Sequence, residues 1–160
     1  LTILLVYRNE KTNYNAIFKT YEVSPLLYNI ISTDLGKNTV GVKRIFGEKT
    51  VGIPDVIFKS KFRNKFIVGE TKGRFIKGDV RYREYYQCLL YIGACRISYS
   101  SKNVVGILNY KNKNVAVKYN KIHYQALENI SHEVYASIKQ RRPVDPKPLH
   151  HRIKILLPSS

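Results

Sequence analysis

Two apolar runs separated by a basic turn stand near the middle of the chain. Thr50 to Phe58 and Lys65 to Lys72 are rich in Val, Ile and Phe, whereas Lys59 to Asn64 between them is polar and basic. This pattern predicts an antiparallel hairpin. Upstream, Leu1 to Tyr7 and Ala16 to Val23 read as strands around the polar Arg8 to Asn15 loop. Ser24 and Pro25 read as the cap and first turn of a helix that runs to about Leu35 and stops at Gly36. Downstream, Asp79 to Ile97 places apolar or aromatic residues at Tyr82, Tyr86, Leu89, Leu90, Gly93 and Ile97, close to helical periodicity. Val104 to Tyr110 and Asn114 to Tyr119 form a second strand pair across the basic turn Lys111 to Lys113, and a last helix, about Tyr124 to Gln140, puts Leu127, Ile130, Val134 and Ile138 on one face. Pro143, Pro146 and Pro148 make the next segment extended, and His150 to Leu157 is basic and then apolar, suited to docking on its own core or on a neighbour. The expected fold class is α/β, a small mixed central sheet flanked by helices. It forms one domain over residues 1–142, followed by a proline-containing basic tail over 143–160.

The hairpin carries the candidate chemistry. Pro54-Asp55 stands at its start and Glu70-Thr71-Lys72 at its end, with residues 56 to 69 between. Side chains alternate across a strand, so Glu70 and Lys72 emerge on one face and Thr71 on the other. Asp55 on the partner strand can then face Glu70. A carboxylate pair binds a hard divalent cation through oxygen and leaves positions for water and phosphate. Such a cation activates water and neutralises charge building on a phosphate, and a lysine beside it can orient the attacking water.

On the following helix, Gln87 and Tyr91 are four residues apart and stack on adjacent turns, on a face that also carries Arg83. The Pro-Asp, Glu-x-Lys and Gln-x-x-x-Tyr series, over about Gly41 to Tyr119, resembles the PD-(D/E)XK nuclease superfamily. Its RecB-type branch, which includes the CRISPR-associated adaptation nucleases, carries the Gln-x-x-x-Tyr motif. The resemblance implies a restriction-endonuclease-like core and a Mg2+ or Mn2+ cofactor held by Asp55, Glu70 and the Thr71 carbonyl. It implies that Lys72 positions the nucleophilic water, that Gln87 and Tyr91 orient the scissile strand, and that hydrolysis leaves a 5′-phosphate. Arg74 and Arg83, with the turn residues Lys59, Lys61, Arg63 and Lys65, are candidate phosphate contacts.

Two departures from the family pattern stand out. The adaptation nucleases use four cysteines for an iron-sulfur cluster, and this chain has only Cys88 and Cys95. These lie two turns apart on one helix, too far for an unstrained disulfide, and read as small buried thiols of a reducing cytosol. The superfamily also often supplies an upstream acidic group, or in this branch a histidine. No histidine precedes His123, so Glu22 is the expected substitute, with Asp34 beside it and Glu10 and Glu48 behind.

Composition adds the partner. With 28 Lys plus Arg against 11 Asp plus Glu, the 160-residue chain carries a formal net charge of +17, of the sign that attracts a phosphate backbone. Tyrosines interleave with basic residues over Arg74 to Tyr86 and Tyr110 to Tyr124, a pattern that suits unpaired bases. The expectation is a cytoplasmic, metal-dependent deoxyribonuclease with no membrane segment, acting as a RecB-like exonuclease on single strands or duplex ends. Two alternatives stay open: a non-cleaving nucleic-acid-binding module of the same fold, and a Holliday-junction resolvase acting as a homodimer.

Overall fold

Tyr14, Ile17, Phe18 and Tyr21 recur at intervals of three and four, the spacing that buries one stripe of a helix. Residues 14–21 are accordingly helical (α1), with Ile17, Phe18 and Tyr21 buried. This corrects the strand expected from Ala16 to Val23. The next expectation is also reversed, because Ser24 and Pro25 close a single turn and no helix follows. The Ser24 carbonyl accepts from the N–H groups of Leu27 and Tyr28 (3.2 and 3.1 Å), and its hydroxyl accepts from Leu26 N–H (3.3 Å). The chain then runs straight into strand β1 (Tyr28–Thr33). Ile30, Ile31 and Thr33 are β-branched and pack better on a pleated surface than on a helix.

The computed structural model of the chain describes residues 14–34, 44–47, 51–141 and 147–159. The expected strand Leu1 to Tyr7, together with Glu10, Glu48, Pro143 and Pro146, lies outside them. Two short strands, β2 (Ile45–Phe46) and β3 (Val51–Gly52), pair as a separate ribbon. The expected strand Thr50 to Phe58 is therefore broken. Pro54 has no N–H to give a ladder, and pairing resumes only at β4 (Val56–Ser60).

From there the elements follow the hydrophobic pattern: β5 (Lys65–Thr71), α2 (Tyr82–Ser98), β6 (Asn103–Asn109), β7 (Asn114–Lys118) and α3 (Lys121–Gln140). One five-stranded sheet has the order β1-β4-β5-β6-β7. Only β5 and β6 are parallel, because α2 carries the chain between them, and the other neighbours are antiparallel. The observed fold is thus a mixed α/β sheet with helices on its faces.

Alternation along the strands gives the sheet two apolar faces. Ile57, Phe66, Val68, Val104, Leu108, Val115 and Val117 pack under α2 with Leu89, Ile92 and Cys95. Val56, Phe58 and Ile67 pack on the opposite side against Ile17, Phe18 and Tyr21 of α1. The buried stripe of α2 is Tyr85, Cys88, Leu89, Ile92 and Cys95, and Ile97 is exposed. The expected stripe was drawn about one residue off because this helix is apolar on more than one face. In α3 the buried positions are His123, Tyr124 and Glu128, whereas Val134 and Ile138 are exposed. Both cysteines are buried free thiols.

The tail folds back on its own domain. Short helix α4 (Leu149–Arg152) buries Leu149, and His150 stacks on Tyr82 with ring centroids 4.0 Å apart. Val80 N–H donates to the Pro158 carbonyl (3.2 Å) beside an antiparallel bridge between Asp79 and Ser159. Among the described residues no helix is long and apolar enough to cross a membrane.

At Gly69 the Tyr21 ring of α1 packs directly on strand β5. A Cβ there would run into Val56 and the Tyr21 ring, whose hydroxyl is hydrogen-bonded to the Thr71 hydroxyl at 2.6 Å. Gly69→Ala is expected to destabilise the fold by about 1–3 kcal/mol through overpacking. A denaturant midpoint equal to that of the wild type would contradict this packing.

Candidate active site

Asp55 precedes β4 and Glu70 ends the buried part of β5. Because Val56 pairs with Gly69, the two carboxylates come out opposite one another, on the face covered by α2. They are interlocked through the backbone. Asp55 N–H donates to Glu70 Oε1 at 3.0 Å, and Thr71 N–H donates to Asp55 Oδ2 at 2.7 Å. Asp55 is thus held through Oδ2 and Glu70 through Oε1, and Glu70 Oε2 faces Lys72. In an extended strand the N–H and C=O of a residue face the same neighbour, so the Thr71 carbonyl opens toward Asp55.

A line of polar groups continues from Glu70. Lys72 Nζ lies 3.9 Å from Glu70 Oε2 and donates to Gln87 Oε1 at 2.5 Å. The Tyr91 hydroxyl, one helical turn on, lies near enough to Gln87 for the two side chains to interact. Helix α2 supplies both residues from successive turns, and its backbone is held close to the sheet where Gly106 faces Cys88 and Ile92. The Tyr91 ring lies against the Gly52 backbone, at a place where a Cβ would overlap it. All five residues of the three motifs therefore meet at one place.

Asp34 joins them from β1. Thr33 pairs with Val56, so the residue after one strand meets the residue before the other, and Asp34 N–H donates to the Asp55 carbonyl at 3.0 Å. The register slips between Ile30 and Ser32, a bulge in which Ile31 and Ser32 together oppose Ile57. Strict alternation would send Asp34 to the α1 face, and the extra residue turns it back to the face of Asp55. The two carboxyl groups share a hydrogen bond.

Crowding and burial raise the pKa values here. Burial, followed by the Asp55 charge, pushes Glu70 up to about 7 despite its backbone hydrogen bond and Lys72. Burial and the bond to Asp55 push Asp34 up to about 6. Burial also raises Tyr91, with the charges of Glu70, Asp55 and Asp34 adding to the effect. Negative charge concentrated this closely is what a divalent cation relieves, and the donors are the hard oxygens that Mg2+ and Mn2+ prefer. Among the described residues no three His, Cys, Asp or Glu side chains form a complete ligand group. An ion here would be completed by the Thr71 carbonyl and solvent.

The remaining candidates are placed differently. Glu22 leaves α1 at a positive φ of 55° and is exposed, lining a shallow groove with Phe18, Lys19 and Pro25. Of the two upstream acids it is Asp34, and not Glu22, that lies beside Asp55. Arg74 is also diverted from the expected phosphate contact. Its guanidinium donates to both carboxylate oxygens of Glu84 and to the Phe75 carbonyl, and it lies 4.9 Å from the centre of the Tyr110 ring. Arg83 is exposed and lines a cleft of about 750 Å3 with Lys72, Arg81, Glu84 and Gln87. Arg81, absent from the sequence reading, is thus a further cation beside the site. Lys59, Lys61, Arg63 and Lys65 cluster around the β4–β5 turn, at the far end of β4, roughly 17 Å from Asp55 at about 3.3 Å per residue.

No family model matches the chain and no curated protein matches it. Among solved structures, the crystal structure of SSO0001 aligns with a TM-score of 0.38 and 13% sequence identity, covering 83% of this chain. The chain spans 61% of that protein's length.

Proposed function

We propose that this protein is a Mg2+- or Mn2+-dependent deoxyribonuclease of the RecB-type PD-(D/E)XK kind, acting on single strands or duplex ends. The observation that carries the reading is the line Asp55, Glu70, Lys72, Gln87 and Tyr91. Asp55, Glu70, Lys72 and Gln87 come from three separate elements and are linked in turn by hydrogen bonds and an ion pair, Tyr91 stands one helical turn beyond Gln87, and Lys72 and Gln87 line a cleft with Arg81 and Arg83.

Asp55 and Glu70, with the Thr71 carbonyl, would hold the metal, and Asp34 adds negative charge beside Asp55. A divalent cation supplies Lewis acidity and a water of lowered pKa at neutral pH. Lys72 directs its ammonium toward Glu70 and is fixed by Gln87, so it can hold the attacking water and meet the charge that develops on phosphate. Gln87 keeps Lys72 from swinging into solvent, and Tyr91 fixes Gln87. Arg81 and Arg83 bind the flanking phosphates, as exposed cations do. With a net charge of +17, affinity for DNA should fall steeply with salt.

The test is cleavage of end-labelled single-stranded, linear duplex and closed circular DNA with Mg2+, Mn2+ or EDTA, comparing wild type with Lys72→Ala. Metal-dependent loss of linear substrates that Lys72→Ala lacks supports the proposal, and cutting of circles assigns endonuclease action. Binding without cutting under every condition replaces the enzyme with a non-cleaving module. Gln87→Ala and Tyr91→Ala are expected to slow cleavage by roughly ten-fold, less than Lys72→Ala, because they position the lysine without touching phosphate oxygen at the reacting centre. Equal rates for Gln87→Ala and wild type would remove Gln87 from the site.

A further inference from the structure

The two basic and aromatic stretches of the sequence are joined in space, immediately beside the candidate site. Lys72 N–H donates to the carbonyl of Asn109 at the end of β6 (2.7 Å), and the loop that follows Lys72 stays against the turn between β6 and β7. Asn112 fastens them. Its Oδ1 accepts from Ile76 N–H and its Nδ2 donates to the Ile76 carbonyl, both at 2.8 Å, and Lys111 N–H donates to the Arg74 carbonyl at 2.9 Å.

Within this loop the side chains alternate. Arg74 points inward to Glu84 and Ile76 is buried, so Phe75 and Lys77 are driven outward. Phe75 is 68% exposed, and Lys111 Nζ lies 5.9 Å from its ring centre. Lys77, two residues on, and Lys111 and Lys113 of the β6–β7 turn are all exposed. Two acids adjoin this surface. Glu84 is matched by Arg74 and the Tyr110 hydroxyl, and Asp79 is exposed at the far end of the loop, beyond Gly78 with its φ of 84°. A lone exposed phenylalanine is ordinary on a protein surface. What sets Phe75 apart is a doubly hydrogen-bonded support, a lysine beside its ring with two more exposed on the same loop and turn, and a position three residues from Lys72.

We infer that this loop and turn form a docking platform for an unpaired nucleic-acid strand, with Phe75 stacking on one base and Lys77, Lys111 and Lys113 following the adjoining phosphates. An exposed ring offers its face to any base whose own face is uncovered, while surrounding ammonium groups track the backbone. In a duplex the base faces are covered by their neighbours, so the platform selects single strands or frayed ends. The inference deepens the nuclease proposal and rests on it for the strand's role as substrate.

Binding is measured in EDTA, by fluorescence anisotropy across a salt series, with labelled oligothymidylate, oligouridylate and blunt duplex DNA. The proteins are wild type, Phe75→Ala, Phe75→Tyr and Lys111→Ala. Phe75→Ala is expected to weaken single-strand binding on the order of ten-fold and to leave duplex binding nearly unchanged, with Phe75→Tyr keeping wild-type affinity. Lys111→Ala should reduce the slope of log affinity against log salt for single strands by about 0.7. Thermal melts of Phe75→Ala should match wild type, since the ring is mostly outside the core. A loss confined to one of the two single strands still supports the platform and identifies the strand it prefers. Wild-type single-strand affinity in Phe75→Ala, or an equal loss on duplex, overturns it. Wild type that binds but does not cut sinks the nuclease reading and leaves the platform intact. Wild type that cuts while Phe75→Ala binds normally does the reverse.

Discussion

Asp55→Asn and Glu70→Gln are each expected to lower metal-dependent cleavage by roughly a hundred- to a thousand-fold or more, while DNA binding at low salt stays near wild type. The amides are chosen because both carboxylates also accept backbone hydrogen bonds, from Thr71 N–H and Asp55 N–H respectively. An amide oxygen can keep those bonds, whereas Asp55→Ala would leave Thr71 N–H without its acceptor and mix a folding defect into the result. Each change removes one negative charge from a chain of net charge +17, so electrostatic attraction to the backbone is not weakened. Single-turnover cleavage and anisotropy on the same preparations check both halves. A folded variant that cuts like wild type would show that this carboxylate is not part of the machinery.

The second large effect is a dependence of stability on pH that a divalent cation should reverse. Glu70 is raised from 4.5 to about 7, chiefly by burial, so the fold favours its protonated form. Its favourable contribution is fully present below 4.5 and is lost as pH rises through about 7. At about 1.4 kcal/mol per pKa unit the loss is on the order of a few kcal/mol. Asp34, raised to about 6, acts in the same direction. His123 acts in the opposite one. Burial lowers its pKa, so the stability that its neutral ring, bonded to the Tyr85 hydroxyl at 2.6 Å, contributes above 6.5 is lost as pH falls from there through the lowered value. Comparing wild type with Glu70→Gln cancels the histidine.

In EDTA the advantage of Glu70→Gln in thermal midpoint should grow from pH 5 to pH 8. Mn2+ should raise the wild-type midpoint by several degrees at pH 8 and much less at pH 5, where protons compete for the same oxygens. Glu70→Gln should lose most of that response. A wild-type midpoint indifferent to Mn2+ at pH 8 would argue against a metal between these carboxylates.

Much of the site was legible along the chain because its parts are local. Glu70 and Lys72 share a strand, Gln87 and Tyr91 share a helix, and alternation and helical pitch fix which way such pairs point. The β4–β5 hairpin, α2, the β6–β7 pair and α3 were all marked by periodic apolar positions bounded by polar turns. The first third of the chain was misread for an equally physical reason. Ser24-Pro25 carries a genuine helix-start signal, but Ile30, Ile31 and Thr33 gain more by extending beside β4 than by completing a helix. The stripe of Tyr14, Ile17, Phe18 and Tyr21 overlaps the short apolar run that suggests a strand, and the helix wins because that stripe packs on Val56, Phe58 and Ile67.

Sequence alone therefore determined the residue types, the strand and helix that present them, and the strongly basic charge. Tertiary structure decided the upstream acid. Asp34 reaches Asp55 only because β1 pairs antiparallel with β4 and carries a bulge at Ile31, and register and bulges depend on partners far along the chain. It also decided the fate of the basic residues. Arg74 is drawn inward by Glu84 and Tyr110, leaving Arg81 and Arg83 at the cleft, because a side chain's partner is set by what the fold brings within a few ångströms and not by its neighbours in sequence.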